Sequence, residues 1–132
     1  MWELKEQLNI ADYFLDRNNP FCLQSYDAPI ISFSHFLPRK ELLSNQAGEA
    51  GEKSRIIGFN FSRVAGSKRL EKQIRFLGSR IHLYGHQHRN RDRTIDGIRY
   101  ISNCLSYPKE RTLGQINQFN GPKQIWDTEA KH

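Results

Sequence analysis

The segment from Arg80 to Ser102 constrains the fold more than any other part of the chain. "RIHLYG" (80–85) has the length and composition of a buried strand, and "TIDGIRYIS" (94–102) carries the signature of a β-hairpin. Asp96-Gly97 supplies the two residues of positive φ that a type I′ turn requires. The sequence therefore predicts a strand, a short polar loop and a hairpin in succession.

An N-terminal helix and a further strand are predicted ahead of this segment. "NNPF" (18–21) is expected to end the helix, because proline and asparagine favour turns over continued helix. "APIISFSHF" (28–36) then predicts a short buried strand at Ile30 to Phe33, which runs into a loop at Ser34. The helical spacing itself comes from four apolar residues, Leu4, Leu8, Ala11 and Leu15.

A second helix is predicted from Ser67 to Leu77. Its first residue can cap the helix, and Gly78 suits the left-handed position that follows a helix. Residues 44–57, rich in Gly, Glu and Ser, predict a flexible loop, and "INQFNGPKQIWD" (116–127) predicts a turn at Asn120-Gly121 and a closing strand through Trp126. The order of elements indicates a mixed α/β fold with its ligand site at strand ends.

Positive charge is concentrated in the middle of the chain. The net charge is +6 over 132 residues, and the segment from Arg55 to Arg93 holds ten basic residues but only two acidic ones, Glu71 and Asp92. Such a segment attracts anions, either phosphate esters or nucleic acid. No RNP, KH or zinc-finger signature accompanies it, so a nucleic-acid-binding module is the lower-ranked alternative.

The remaining composition favours a cytoplasmic protein. Cys22 and Cys104 lack CxxC spacing and are expected to be reduced thiols. No run of about 18 apolar residues is present for a membrane span. The first residues lack the apolar core of a secretory signal.

Three of the five histidines lie where predicted strands end. His35 follows the first strand, and His86 and His88 follow "RIHLYG" directly after Gly85. Residues i and i+2 of a regular strand point the same way, but in a loop opened by glycine they can diverge and serve two neighbouring cations. Two cations about 3.5–4 Å apart are a standard device for holding a phosphoryl group. The histidines therefore predict a metal site.

These segments resemble the calcineurin-like metallophosphoesterases. "GHQH" matches the G-H-x-H motif that closes the family's domain, and "ISFSHF" matches the strand-then-histidine motif that precedes it. "DGIRYISNCLSYPKER" is similar to the hairpin and Tyr-Pro-Lys/Arg-Glu segment that follow in the family. The resemblance covers roughly Ile30 to Arg111 of a partial domain that spans residues 1–132, with motif order, spacing and strand context in agreement.

The resemblance implies a fold, a cofactor and a reaction. The chain would be the C-terminal half of a four-layer αββα sandwich, with metals at the seam between its two sheets. His35 and His86 would ligate one divalent metal ion and His88 a second, with Mn, Fe and Zn as candidates. The implied reaction is hydrolysis of a phosphoester by a metal-bound hydroxide.

The motifs of the family's first half, D-x-H, G-D-x-x-D and G-N-H-D/E, are missing from this chain. Three neutral imidazoles do not balance the charge of two divalent cations, so the chain alone is not expected to assemble the dinuclear site. The hypothesis is a half-enzyme whose aspartate ligands come from an N-terminal half or a partner chain. The alternative is a non-catalytic truncated or split domain that needs a partner chain.

Two residues are candidates for contact with a phosphoester substrate. Arg39, four residues after His35, has the chemistry to pair with a phosphate, but it could equally hold its own loop through Glu41. Asn103 follows the hairpin, where the resemblance puts the substrate cleft. Residues 108–111 alternate in charge and are interpreted as a structural surface stretch.

Overall fold

A computed structural model describes residues 10–43, 66–113 and 121–128 of the chain. Within these ranges four strands form one sheet, and none of the helices has the length and apolar composition needed to span a bilayer. The elements in chain order are α1 (Ile10–Cys22), β1 (Ile30–Ser34), a 3-10 turn (Lys40–Leu42), α2 (Lys68–Phe76), β2 (Ser79–Tyr84), β3 (Arg91–Ile95), β4 (Ile98–Ser102) and α3 (Pro108–Thr112).

The sheet has the strand order β1-β2-β4-β3. Strands β1, β2 and β4 are parallel, and β3 runs antiparallel to β4 as the other arm of the hairpin. Parallel neighbours need a crossover connection, and α2 forms part of the one between β1 and β2. The three parallel strands therefore end at one edge of the sheet, called here the carboxyl edge. The predicted mixed α/β fold is confirmed.

Local signals predicted α2 and the hairpin correctly. The Ser67 hydroxyl accepts a hydrogen bond from the Arg69 amide at 3.2 Å, and Gly78 has a φ of 73° after the helix. Asp96 and Gly97 have φ values of 47° and 83°, as a type I′ turn requires. These features depend only on neighbours in sequence, which is why the sequence predicts them.

The predicted end of the N-terminal helix is wrong, because α1 continues through Pro20 to Cys22. The last turn of α1 docks on α2, where the Gln73 side chain donates to the Leu15 carbonyl at 2.7 Å and to the Asn19 side chain at 2.8 Å. The Gln24 side chain also donates to the Pro20 carbonyl at 2.7 Å. The stabilisation from these contacts exceeds the cost of the one helix hydrogen bond that Pro20 cannot donate.

The closing strand predicted through Trp126 is absent from the described residues 121–128. This segment is tied to the sheet by side chains instead, through a Lys123–Asp92 ion pair and a 3.1 Å hydrogen bond from Asn103 to the Gly121 carbonyl. The loop predicted at residues 44–57 and the helix positions Leu4 and Leu8 lie outside the described residues.

One face of the sheet packs against α2. Its buried residues Tyr84, Ile98 and Tyr100 form one core cluster with Ile74 of the helix and with Leu37 and Leu42. Two arginines predicted as part of a basic surface are also buried on this face. Arg93 donates to the Glu41 carbonyl at 2.7 Å, and Arg91 donates to the Leu42 carbonyl and to Gln87.

These two guanidinium groups hold the 3-10 turn over the sheet, so part of the positive charge of the middle segment has an internal role. That use of the charge weakens the argument for a nucleic-acid-binding surface.

The opposite face of the sheet is apolar on β1 and β2, where it is unevenly covered, and carries the Asp92–Arg99 ion pair on β3 and β4. Ile81 and Ile101 are buried at its centre, whereas Ile31 and Phe33 on the flanking strand β1 are 38% and 84% exposed. Among the described residues, β1 pairs with a strand on one side only. Ile31 and Phe33, called here the apolar stripe of β1, are therefore exposed apolar residues that do not belong to the core.

Candidate metal site at the carboxyl edge

The register of the parallel strands brings two histidine-bearing segments together. Ser34 pairs with Tyr84 as the last residues of β1 and β2, so His35 and Gly85 follow side by side at the carboxyl edge. The Gly85 amide extends the pairing by donating to the His35 carbonyl at 3.1 Å. Strand pairing therefore places His86 next to His35.

The two imidazoles meet through their nitrogens. Nε2 of His35 lies 3.1 Å from Nδ1 of His86, with the ring centroids 5.1 Å apart and the ring planes at 81°. Phe36 packs on both rings, at centroid distances of 5.1 Å from His35 and 5.0 Å from His86. The sequence prediction that these two histidines lie close together is supported by this geometry.

The backbone of the histidine loop turns sharply at both histidines. His86 has a φ of 69° and His88 a φ of 52°, which is the left-handed region that non-glycine residues occupy at a cost of about 1 kcal/mol each. Gln87 anchors the loop between them, because its side chain accepts from Arg91 at 3.0 Å and donates to the Leu43 carbonyl at 3.4 Å. The surrounding contacts thus impose a conformation that the residues themselves disfavour.

This loop sends its two histidines to different partners. Nδ1 of His88 lies 3.0 Å and 3.1 Å from the two carboxylate oxygens of Glu110, and its ring packs on Tyr107 with centroids 5.0 Å apart. An ionised carboxylate only accepts hydrogen bonds, so Nδ1 of His88 carries the proton. The divergence expected of a glycine-opened loop is observed.

Glu110 is the site residue that the sequence interpretation missed. Residues 108–111 were expected to be a surface stretch, but Glu110 brings a carboxylate to the histidine loop. The same carboxylate accepts from the Tyr107 amide at 2.9 Å, completing a capping box at the start of α3. Glu110 stands at the third position of that helix, which is the capping-box spacing, so a local signal for the cap existed. The contact with His88 had no local signal.

Burial and charge adjust the ionisation of this group. The pKa of His86 is lowered, first by its burial and then by the positive charges of His35 and His88 when they are protonated. The pKa of Glu110 is also lowered, first by the Tyr107 amide and further by His88. At neutral pH His86 is therefore a neutral imidazole, which is the form that ligates metals.

The His35–His86 pair fits one divalent cation. Two imidazole nitrogens bound to one cation at about 2.1 Å each, at roughly 90–110° to one another, lie roughly 3.0–3.4 Å apart. The observed separation of 3.1 Å falls within that range, and it is also the length of an N–H···N hydrogen bond between the two rings. Within the described ranges, no group of three or more His, Cys, Asp or Glu side chains converges on one point. The described residues thus provide two ligands for one cation, with His88 and Glu110 beside them.

Arg39 was predicted either to bind a substrate phosphate or to hold its own loop through Glu41, and the contact with Glu41 is observed. Its guanidinium binds Glu41 and Asp96 at 2.7 Å each and Glu71 at 3.1 Å. Asp96 lies in the turn before β4, which is the edge of the sheet opposite the carboxyl edge. Three carboxylates thus hold the Arg39 guanidinium in this structure, and its predicted contact with a substrate phosphate stays a prediction.

Asn103 lies directly after β4, at the carboxyl edge, where its exposed side chain donates to the Gly121 carbonyl. The predicted contact of Asn103 with a substrate stays a prediction. The observed contacts of Arg39 and Asn103, the two predicted substrate-binding residues, are thus with residues outside the histidine pair.

His82 belongs to the strand and not to the site. It is 1% exposed, and its two ring nitrogens lie 2.8 Å from the Ser32 hydroxyl and 3.0 Å from the Ser34 hydroxyl. Burial lowers its pKa to about 4, so the ring is neutral at neutral pH. With both nitrogens occupied by hydroxyls, His82 offers no lone pair to a metal.

Chemically, the carboxyl edge presents imidazole nitrogens, one carboxylate and two exposed aromatic rings. Such a set can contribute to binding a divalent metal but does not supply the negative charge that balances two of them. The chain matches no protein-family model, no curated protein and no solved structure.

Proposed function

We propose that this chain is the C-terminal half of a metal-dependent phosphoesterase of the calcineurin-like kind. The observation that carries the proposal is the 3.1 Å separation between Nε2 of His35 and Nδ1 of His86 at the ends of neighbouring parallel strands. These two histidines belong to the two segments, "ISFSHF" and "GHQH", that resemble the family's closing motifs. The resemblance came from the sequence alone, whereas the separation comes from the fold.

The strained histidine loop is a second argument for a ligand site. A loop that served only to connect β2 and β3 would have no reason to keep two non-glycine residues at positive φ. Both of these residues are histidines, and each has its ring held by a defined neighbour. We infer that the conformation is retained because it orients the two imidazoles.

The proposed roles of the residues follow from these contacts. His35 and His86 would hold one divalent metal ion, His88 a second, and the metals would neutralise charge on the phosphoryl group of a phosphoester. Phe36, itself 45% exposed, packs on both rings of the first pair. His86 needs no deprotonation at neutral pH, because its pKa is already lowered.

The aspartate ligands of such a site would come from an N-terminal half or a partner chain. The apolar stripe of β1 supports this part of the proposal, since Ile31 and Phe33 are exposed on the face opposite α2. In a four-layer αββα sandwich a second sheet would cover that face, and the metals would lie at the seam. The stripe adjoins His35, which directly follows β1.

The test is the metal-dependent hydrolysis of bis(p-nitrophenyl) phosphate by the native gene product. The product is captured with an antibody against helix residues 67–77, its intact mass is measured, and its hydrolysis is assayed with Mn²⁺ and with Zn²⁺. We expect a mass above 15.5 kDa and activity that H35A, H86A or H88A each lowers by at least about 100-fold in the full-length product. The matched control is R80A, because Arg80 is an exposed residue of β2 outside the site.

Two results would contradict the proposal. Hydrolysis that survives all three histidine substitutions would show that the histidines are not the metal ligands. A native product of 15.5 kDa that binds no metal and hydrolyses no phosphodiester would favour the non-catalytic split domain instead.

A further inference from the structure

His88 is held by a carboxylate on an element that follows it by more than twenty residues. Both oxygens of Glu110 lie within hydrogen-bond distance of Nδ1 of His88, at 3.0 Å and 3.1 Å. The pair is partly shielded from water, with side-chain exposures of 35% for His88 and 28% for Glu110. The contact therefore fixes which ring nitrogen carries the proton and leaves Nε2 as the nitrogen with a lone pair.

A second contact fixes the orientation of the same ring. The edge of the His88 imidazole meets the ring of Tyr107 at 70°, with centroids 5.0 Å apart. Tyr107 is the capping residue of α3, and its amide donates to Oε2 of Glu110. The His88 ring, the start of α3 and the Glu110 carboxylate thus form one connected unit, called here the Glu110 clamp (Tyr107, Glu110 and His88).

We infer that Glu110 is a positioning residue, which holds His88 as the Nδ1-protonated tautomer so that Nε2 can bind a divalent metal ion. This inference rests on the proposed function for the metal itself, but the orientation of the ring is independent of it. A hydrogen bond from the second ring nitrogen to a carboxylate is the usual way in which a protein orients a histidine ligand and raises its basicity.

The competing explanation is that Glu110 serves only as a helix cap. A cap needs one oxygen, and Oε2 supplies it to the Tyr107 amide. The cap does not require either oxygen to face a side chain, whereas Oε2 and Oε1 lie 3.0 Å and 3.1 Å from Nδ1 of His88. The geometry of the second oxygen therefore favours a role for the carboxylate beyond the cap.

The first test measures the tautomer of His88 in the metal-free chain by ¹⁵N–¹H correlation spectra of the imidazole nitrogens at pH 7.5. We expect the Nδ1-protonated form in the wild type and in E110Q, whose amide oxygen still accepts. In E110A we expect His88 to return to the tautomer mixture of free histidine, in which the Nε2-protonated form predominates.

A control variant distinguishes loss of the Glu110–His88 contact from general loosening of the start of α3. Arg111 anchors the start of α3 by donating to the Leu105 and Ser106 carbonyls at 3.0 Å and 2.6 Å, without contacting His88. R111A should therefore leave the tautomer unchanged. If E110A keeps the Nδ1-protonated form, or if R111A changes the tautomer as much as E110A does, the inference is overturned.

The second test measures the Zn²⁺ affinity of the full-length gene product by competition with a chromophoric chelator. We expect E110A to lower the affinity of the His88-dependent site by about 10–100-fold, and E110Q to lower it less. An unchanged affinity alongside a changed tautomer would overturn the positioning role. Failure of the proposed function would give a different result, because the wild-type protein and H88A would then have equal Zn²⁺ affinity.

Discussion

Nε2 of His35 and Nδ1 of His86 lie 3.1 Å apart although 51 positions separate the two residues in the chain. If one cation binds both nitrogens, the two substitutions H35A and H86A should not act independently. We expect each single variant to lower Zn²⁺ affinity by at least about 10-fold. The double variant should be only slightly weaker than either single one, because the chelating pair is already lost.

The measurement is a double-mutant cycle on Zn²⁺ affinity, with R80A as the control for unrelated surface changes. Effects of H35A and H86A that simply multiply would mean that the two histidines do not share a cation.

The stability of the chain should fall as the pH is lowered from about 6.5 to about 4, because His82 must become charged in a buried site. Its pKa is about 4 in the folded state against 6.5 in the unfolded state. Between about pH 4 and pH 6.5 the unfolded chain binds more protons than the folded chain. The free energy of unfolding therefore increases as the pH rises through this range and decreases as the pH falls. The full effect of His82 is about 3 kcal/mol.

Urea unfolding at pH 7.0 and 4.5 measures this dependence, and H82Q should show a smaller difference between the two pH values. His86 acts in the same direction, because its pKa is also lowered, and it remains present in both proteins. The Asp92 pKa of about 2 affects only more acidic solutions. An unchanged difference in H82Q would exclude His82 as the cause.

Substitution of Glu71 should destabilise the core strongly. Its carboxylate, 13% exposed, accepts from the fully buried Tyr100 hydroxyl at 2.7 Å and binds Arg39 and Arg75. E71A would leave the buried Tyr100 hydroxyl without this acceptor and remove one of the three carboxylates that bind Arg39, and we expect a loss of about 3 kcal/mol in urea unfolding. Burial raises the pKa of Tyr100, and Glu71 raises it further, so its hydroxyl remains a donor.

Glu41 provides the matched control for Glu71, because it binds the same Arg39 guanidinium from an exposed position. E41A should cost less than about 1 kcal/mol. Equal losses in E71A and E41A would mean that burial of the Glu71 contact does not matter.

Substitution by alanine should destabilise the protein at Gly66 but have little effect on stability at Gly85. A Cβ at Gly66 would overlap the Leu37 carbonyl, which pairs with Gly66 in a β-bridge, whereas a Cβ at Gly85 would make ordinary contacts of 3.5 Å and 3.6 Å with His35. We expect G66A to lose about 2 kcal/mol or more and G85A to change stability by less than about 0.5 kcal/mol. Thermal unfolding of both variants measures the difference, and a large loss in G85A would contradict the described packing of the histidine loop.

Features set by neighbours in sequence could be predicted without the structure. The cap of α2, the glycine after it and the Asp96-Gly97 turn each need only a few adjacent residues, and all three are observed. Strand β1 and strand β2 were predicted from short apolar runs, and their observed bounds differ by no more than a residue or two. Failures occurred where a distant contact decided the outcome, as at Pro20, which Gln73 of α2 helps to keep in a helix.

The sequence by itself determined the types of α2, β1, β2 and the hairpin strands, and it showed that three histidines follow strands, whereas α3 was not predicted. It could not determine which strands pair, and the parallel pairing of β1 with β2 alone brings His35 to His86. It also could not show that Arg39 is bound by carboxylates at the opposite edge, or that Glu110 reaches back to His88. Local preferences act over a few residues, whereas these contacts exist only because the packed sheet and helices bring distant segments together.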